Sequence, residues 1–439
     1  MSTRRDFIKN AGLTMAGMTL LSTMGTPRVH AGEDNTVKIG LVGCGSRGTG
    51  AVIDAMDASP THKLAAMADL HENKSEEMLK YLKEYKPEQV DVPKENRFFG
   101  FDAYRRLIDA LGPGSVVFLC TPPVFRPLHF EYAVEKGLHV FMEKSFGVDV
   151  PGVKRVLKAG KAAEAKNLKV ASGLMGRHNV ALIEAVNRVR DGAIGDITTL
   201  ATYRVHETVP FIPREKDESL LAHQLRNYHN FNWTNGTFIL DWLIHNLDAS
   251  CWLKGAWPVS VQGHGGRQVR DVPDQQFDSF FVEYQFADGS RLYAQGRAQN
   301  NTWAYYGDLA YGTKGFADLG GVITVPALYH GMAPTKGRLL WKYDGEVMNP
   351  YKKEHIDFFD AIKNDKPCNE TEYSANATMV GILGRMAAES GQLITWDWAM
   401  NHGESLADVD QMTWDTTPPV LPDASGNYPI ARPGITKPV

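Results

Sequence analysis

From residue 37 onward, short apolar runs alternate with stretches of helical period, the rhythm of parallel strands joined by helices. Residues 37–42 form the first run, and a helical pattern follows it through Met56. The runs 63–68, 115–120, 138–142 and 168–173 predict further strands, with helices over 103–111 and 128–136 between them. These strands end on polar or turn residues: Asp69, Thr121-Pro122-Pro123 and Glu143-Lys144, with Arg177 and His178 just past the last. Doubly wound sheets hold ligands at the carboxyl ends of their strands, so all of these side chains fall on one rim.

From about residue 194 the pattern becomes strand-like over 197–206, 259–263, 277–286, 291–296 and 315–319, and helices follow over 353–363 and 375–390. The expected fold class is α/β: an N-terminal Rossmann doubly wound parallel sheet plus a C-terminal α+β domain with a large, mostly antiparallel open sheet. The divisions expected are a leader over 1–31, the Rossmann domain over 36–175, the second domain over 176–400 and a proline-rich arm over 401–439. Six prolines and little periodicity over 413–439 predict an extended segment, either wrapping a neighbouring subunit or mobile.

Composition narrows the class. At 439 residues, 43% hydrophobic and 22% charged, with a mean hydropathy of −0.29, the chain can bury large cores and is neither disordered nor membrane-embedded. A net charge of −4 lacks the basic excess of a nucleic-acid binder. The first residues differ from the rest. Arg4-Arg5 precede Asp6-Phe7-Ile8-Lys9 and a weakly apolar stretch over 11–24, with a cleavage point after Val29-His30-Ala31. This resembles a twin-arginine export signal, and the apolar stretch is shorter than the ~20 residues a stable membrane span needs. A periplasmic or exported protein is expected, with cytoplasmic retention as the alternative. Removing residues 1–31 takes away Arg4, Arg5, Lys9 and Arg28 against Asp6, leaving 408 residues with a net charge of −7. Cys44, Cys120, Cys251 and Cys368 are far apart and form no CxxC pair, so neither a disulfide framework nor a zinc knuckle is indicated. Lone cysteines fit a protein that folds around its cofactor before export.

The first strand leads directly into Gly43-Cys44-Gly45-Ser46-Arg47-Gly48, which opens the first helix. In this strand, GxGxxG, helix context the first glycine permits the tight turn, the second lets a pyrophosphate approach the backbone and the third lets helix and strand pack closely. Asp69 closes the next strand at the spacing expected of the carboxylate that binds the ribose hydroxyls, so NAD is favoured over NADP. Arg47 tempers that preference, because a nearby arginine can receive a 2′-phosphate.

The glycine loop, Thr121-Pro122-Pro123 with His129 after it, and Glu143-Lys144 occur in the order and spacing of the glucose-fructose oxidoreductase, inositol dehydrogenase and MocA family. Phe238-Ile239-Leu240-Asp241-Trp242-Leu243-Ile244-His245-Asn246-Leu247-Asp248 fits the same pattern, and the chain resembles the family from about residue 37 to 395. The resemblance implies that Lys144, Asp241 and His245 surround the reacting carbinol, that Thr121, Pro122, His129, Glu143 and Lys144 flank the cofactor, and that the protein is a homo-oligomer, a dimer or tetramer. Ser145 departs from the proline usual in the family. The spacing makes physical sense on its own: Asp241, His245 and Asp248 at i, i+4 and i+7 share a helix face, while Leu240, Ile244, Leu247 and Cys251 form an apolar stripe. Hydride loss from a secondary alcohol requires a base for the hydroxyl proton, a task for His or Lys of tuned pKa. Asp241 is expected to orient His245 or to bind a neighbouring sugar hydroxyl.

Residues 221–233 are dense in aromatic and hydrogen-bonding side chains, a mixture suited to carbohydrate. Arg226, Tyr228, His229 and Trp233, with Arg177 and His178, are the candidate substrate residues. Six histidines lie from His178 to His264, but without HxH or HExxH spacing no metal is expected. The activity expected is an exported NAD-dependent oxidoreductase that transfers hydride at a carbinol carbon of a sugar or glycoside, C3 being one candidate. An exported enzyme has no free nicotinamide pool, so the cofactor is expected to stay tightly bound and be recycled. Two alternatives remain: a redox-neutral NAD-dependent glycosidase using transient oxidation and elimination, and a non-catalytic sugar-sensing or scaffold protein.

Overall fold

Six short strands rich in Val, Leu, Phe and Met build the first sheet: β1 (Val37–Val42), β2 (His62–Asp69), β3 (Arg97–Phe99), β4 (Val116–Leu119), β5 (His139–Met142) and β6 (Val170–Ser172). The computed structural model describes residues 36–439, and the expected leader lies outside the described residues. The strand order is β3-β2-β1-β4-β5-β6 and every pair is parallel, so the chain direction across the sheet reverses between β1 and β4. A crevice opens at such a switch point. The continuous apolar runs reflect burial on both faces: Ile39, Leu41, Val116, Val117, Phe118 and Leu119 are all fully buried.

Helices Ser46–Ala58, Ala103–Leu111 and Arg126–Glu135 stand where helical period predicts them, the last beginning two residues early because Pro127 fits the first turn. Glu72–Tyr85 and Val150–Ala165 were not foreseen. The first of these is largely charged and buries only Ser75, Leu79 and Leu82, a stripe too narrow to stand out.

The second sheet has nine strands: β7 (Ile197–His206), β8 (Ser260–Gly266), β9 (Ser279–Gln285), β10 (Arg291–Ala298), β11 (Tyr305–Gly312), β12 (Gly315–Gly320), β13 (Ala327–His330), β14 (Leu339–Lys342) and β15 (Ile394–Thr395). Their order is β14-β13-β12-β11-β7-β10-β9-β8-β15, antiparallel throughout except for the parallel pair β7 and β10. β11, β13 and β14 escape a pattern reading because their outward positions are themselves aromatic or aliphatic, as in half-buried Tyr305, Leu309 and Tyr311 and exposed Leu339. One face of the sheet carries Leu200, Val282, Tyr284, Leu292 and Ala294 inward, while the other holds half-buried Tyr203, Phe281, Tyr293 and Tyr311.

Helix Thr371–Ser390 is buried along almost its whole length, packed against both helix Val150–Ala165 and strands β8 and β9. It mortises the two sheets together, and residues 36–439 cluster as one contact unit. The arm runs without helix or strand beyond helix Trp396–His402, in keeping with its prolines. It lies against its own chain. The Asp149 carboxylate accepts the Leu406 N–H (2.9 Å), Arg155 pairs with Asp410 (2.8 Å), Gln224 donates to the Val420 carbonyl (2.7 Å), and Tyr428 packs edge-on against Phe231.

Candidate active site

The glycine loop bends where β1 meets helix Ser46–Ala58. Gly43 has φ +97, and a Cβ there would lie 2.7 Å from the backbone of Cys120. At Gly48 a Cβ would lie 2.1 Å from the Gly43 carbonyl oxygen, whereas at Gly45 it would meet nothing within 4 Å. The loop is therefore closed beneath and open above, the cradle a pyrophosphate requires, with Ser46 at the helix amino end. The Asp69 carboxylate is fixed beside it by two backbone donors, Cys44 N–H (2.8 Å) and His71 N–H (3.0 Å).

A cavity of about 700 Å³ extends from this loop across the strand ends to the second sheet. It is lined by Gly43, Gly45, Ser46, Arg47, Gly48 and Asp69, by Thr121, Pro122 and His129, and by Glu143 and Lys144, so every candidate cofactor residue faces one space. Thr121 hydrogen-bonds His129 (3.3 Å), whose ring stacks on Tyr104 at 4.1 Å. Burial, reinforced by the Arg126 and Arg105 cations, holds His129 down to about 3, so this imidazole is neutral. Arg47 is committed elsewhere than to Asp69: its Nε binds Glu143 (2.6 Å) and its guanidinium lies 5.0 Å from the Tyr351 ring. With three strand positions separating Asp69 from Glu143, the arginine does not stand as a 2′-phosphate receptor, and the carboxylate alone marks the ribose side.

At the other end of the cavity Lys144 reaches across to the second half of the chain. Its ammonium donates to Asp241 Oδ1 (3.1 Å) and to the Asp241 carbonyl, while His229 Nδ1 meets Asp241 Oδ2. An ionised carboxylate only accepts, so His229 donates Nδ1–H and keeps Nε2 as its free position. Burial opposes ionisation of Asp241, but Lys144 and His229 outweigh it and hold the carboxyl well below the usual carboxylate range. His245 also lines the cavity, and burial together with Lys144 and Arg204 pushes it well below 6.5. It is neutral at neutral pH. Asp241 therefore orients His229 and Lys144 rather than His245, which corrects the expected pairing.

Asp241 lies on a turn of π-helix, Ile239–Leu243, that passes into helix Ile244–Lys254. Such turns recur where helices serve functional sites. The shared face covers Asp241 and His245 but ends before Asp248, which turns to Arg177. Next to Lys144 the Lys144–Ser145 peptide is cis. Ser145 there donates to the Leu240 carbonyl (2.6 Å) and its own carbonyl accepts from buried Arg126 (2.7 Å).

The candidate substrate residues divide. Tyr228, His229 and Arg226 line the cavity, the last tied to Glu218. The rings of Tyr228 and His229 lie 3.9 Å apart, tilted to each other, and burial together with the Asp241 charge keeps the Tyr228 phenol protonated. Arg177, His178 and Trp233 do not reach the cavity. Arg177 forms a two-pronged pair with Asp248 (2.7 and 2.8 Å) between the rings of Trp252 and Tyr373. His178 sits between Asp357 (2.8 Å) and Glu370 (3.1 Å), and the Trp233 indole donates to Gln224 (2.7 Å) in the interior. All three are engaged in contacts within the second half of the chain instead. In their place the cavity gains Arg126, Arg204, Trp242, Tyr306 and Tyr351, which sequence reasoning passed over. Arg204 and Tyr306 face each other across β7 and β11 and stack at 4.0 Å. Inward position on a strand carrying a charge was the available signal for Arg204; nothing local marks Tyr351.

A parallel sheet in this order, a glycine cradle, a fixed carboxylate and a proton-handling cluster at the far end define an NAD-binding oxidoreductase. Residues 37–172 match the oxidoreductase family with an NAD-binding Rossmann fold, and residues 182–317 match the GFO/IDH/MocA C-terminal domain. The chain belongs to the Gfo/Idh/MocA family. No curated protein matches it. Among solved structures it is similar to the aldose-aldose oxidoreductase of Caulobacter crescentus complexed with glycerol, at a TM-score of 0.64 and 19% identity over 82% of this chain and 99% of that one. It is likewise similar to scyllo-inositol dehydrogenase of Lactobacillus casei with bound NAD(H) and scyllo-inositol, at a TM-score of 0.61 and 20% identity over 82% and 99%. UDP-N-acetylglucosamine 3-dehydrogenase of Acidithiobacillus ferrooxidans follows at a TM-score of 0.58 and 19% identity over 80% and 98%. At these identities the likeness speaks for the fold.

The ion triad at His178 yields a test with a defined sign. Burial works against its charge, yet hydrogen bonds to Asp357 and Glu370 carry it from 6.5 up to about 10. A raised histidine stabilises the fold fully below its unfolded value, and that stabilisation is lost as pH rises through the folded one. Thermal melting of His178→Gln should show its largest loss relative to wild type at pH 6 and a smaller loss at pH 9.5; an equal loss at both would refute the charged triad.

Proposed function

We propose that this protein transfers hydride between NAD and a carbinol carbon of a sugar, polyol or glycoside. The observation that supports it is the convergence of Lys144, His229 and neutral His245 about Asp241 at the end of the cavity opposite Asp69. When bound, NAD supplies the two-electron acceptor for the carbinol hydride. The Lys144 ammonium, held by Asp241, is placed to donate a hydrogen bond to the carbinol oxygen and to stabilise negative charge developing there. Neutral His245 is the group that takes the hydroxyl proton, since its lone pair is unprotonated at working pH. Trp242, Tyr228 and the Arg204–Tyr306 stack offer the ring faces and donors with which a sugar's apolar faces and hydroxyls are bound. The neighbouring folds include enzymes named for aldoses, an inositol and a UDP-linked sugar, and a 3-dehydrogenase among them makes C3 a reasonable first position to probe.

If these roles are right, Lys144→Ala and His245→Ala each abolish turnover while NAD binding, followed by calorimetry, stays within about twofold of wild type. Activity that survives either change removes that residue from the mechanism.

The exported subgroup, a homo-oligomer and a retained cofactor belong to the same proposal, resting on Arg4-Arg5, on the family resemblance and on the lone cysteines. One observation keeps the redox-neutral glycosidase in view: His229, held by Asp241, is a second imidazole lining the cavity beside His245, and an oxidation followed by elimination uses more than one proton-transferring group. Protein purified without added nucleotide should release NAD(H) on denaturation, and a clean apoprotein would contradict retention. Mixing that holoprotein with sugars and glycosides separates the two cycles: lasting reduction of the bound nicotinamide marks the oxidoreductase, and a released aglycone without it marks the glycosidase.

A further inference from the structure

The arm that follows helix Trp396–His402 crosses the molecule at one particular place. Asp149 holds it at Leu406 and Arg155 holds it at Asp410, both on the Rossmann half. Val409 and Met412 are then buried, and Val420 is tied to Gln224 on the other half. Between these anchors the Trp414 indole lies against two rings, Phe101 edge-on at 5.0 Å and His71 at 5.4 Å. Both of those residues line the cavity, and both stand beside the carboxylate that marks the ribose: His71 N–H donates to Asp69 Oδ1, and Gly100 N–H donates to the Asp69 carbonyl (3.1 Å).

This is the adenosine end of a dinucleotide site, since Asp69 closes β2 beside the glycine loop. Leu70, Phe101, Tyr104 and Phe125 give that end an apolar lining suited to a purine ring. His71 caps helix Glu72–Tyr85 and Phe101 follows β3, so both rings stand just past the strand ends of the Rossmann half. Trp414 joins them from outside, and its anchors join the strap to both walls of the cleft. Pro418, Pro419 and Pro422 follow directly, and their restricted φ lowers the entropy lost in holding the strap down.

We propose that Trp414 is a positioning residue for the adenosine half of NAD, acting through His71 and Phe101, so that the C-terminal strap sets how firmly the cofactor is held. Trp414 is 40% exposed, so shortening it opens no core. The test uses the full chain loaded with NADH, excited directly at the nicotinamide so that loss of an indole leaves the signal unchanged. Displacement by NAD, by ADP-ribose and by nicotinamide mononucleotide then gives three affinities. Trp414→Ala should weaken NAD and ADP-ribose by about tenfold, the size expected for two lost aromatic contacts, and leave nicotinamide mononucleotide unchanged. Trp414→Phe should recover most of that loss. Asp410→Asn, which frees the strap from Arg155 without touching the rings, should rank the three ligands in the same way. Unchanged affinities in both variants, or equal weakening of all three ligands, would overturn the proposal.

Discussion

A single buried carboxylate joins the two halves of this protein. Asp241 belongs to the second half of the chain, yet its charge is satisfied both by Lys144 at the end of β5 and by His229, on a short turn at Tyr228–Asn230 of its own half. An isolated carboxylate at that depth would be strongly disfavoured, and removing one partner of a buried pair typically costs about 3–5 kcal/mol. The site and the interface are therefore one feature. The ammonium that lines the cavity is also what pays the desolvation of Asp241, so the geometry proposed for hydride transfer and the contact between the halves rest on the same pair.

The same logic repeats around the cleft. Arg47 is paired to Glu143, Arg177 to Asp248, and His178 to Asp357 and Glu370, each joining segments remote in sequence. The helix Thr371–Ser390 supplies the apolar counterpart by packing on both sheets. The cleft thus has walls braced by ion pairs behind, by a buried helix beneath and by the C-terminal strap across the adenosine end. A dinucleotide laid across the strand ends would touch elements held by all three.

What the sequence reveals here follows from how local each signal is. The Rossmann strands announce themselves as apolar runs, and Gly43, Gly45, Gly48 and Asp69 have their roles written in spacing, because the backbone turn and the strand end are local facts. Lys144 and Asp241 were recognisable from motif context, but their contact was not, since 97 positions separate them. Arg177, His178 and Trp233 show the opposite failure. Polar side chains next to a predicted rim look like ligand-binding groups until their partners Asp248, Asp357 and Gln224 come into view. Arg204, Tyr306 and Tyr351 were missed because their inward direction depends on sheet register and helix placement, and Trp414 because nothing in a proline-rich tail tells where it lies.

The most direct test of the central claim is the turnover of Asp241→Asn, which keeps the shape of the side chain and removes its charge. With Asp241 as the common partner of Lys144 and His229, the substitution should lower kcat by about two orders of magnitude while NAD still binds at the far end of the cavity. A variant that turns over a sugar substrate at the wild-type rate would contradict the assignment of this carboxylate as the organising charge of the site.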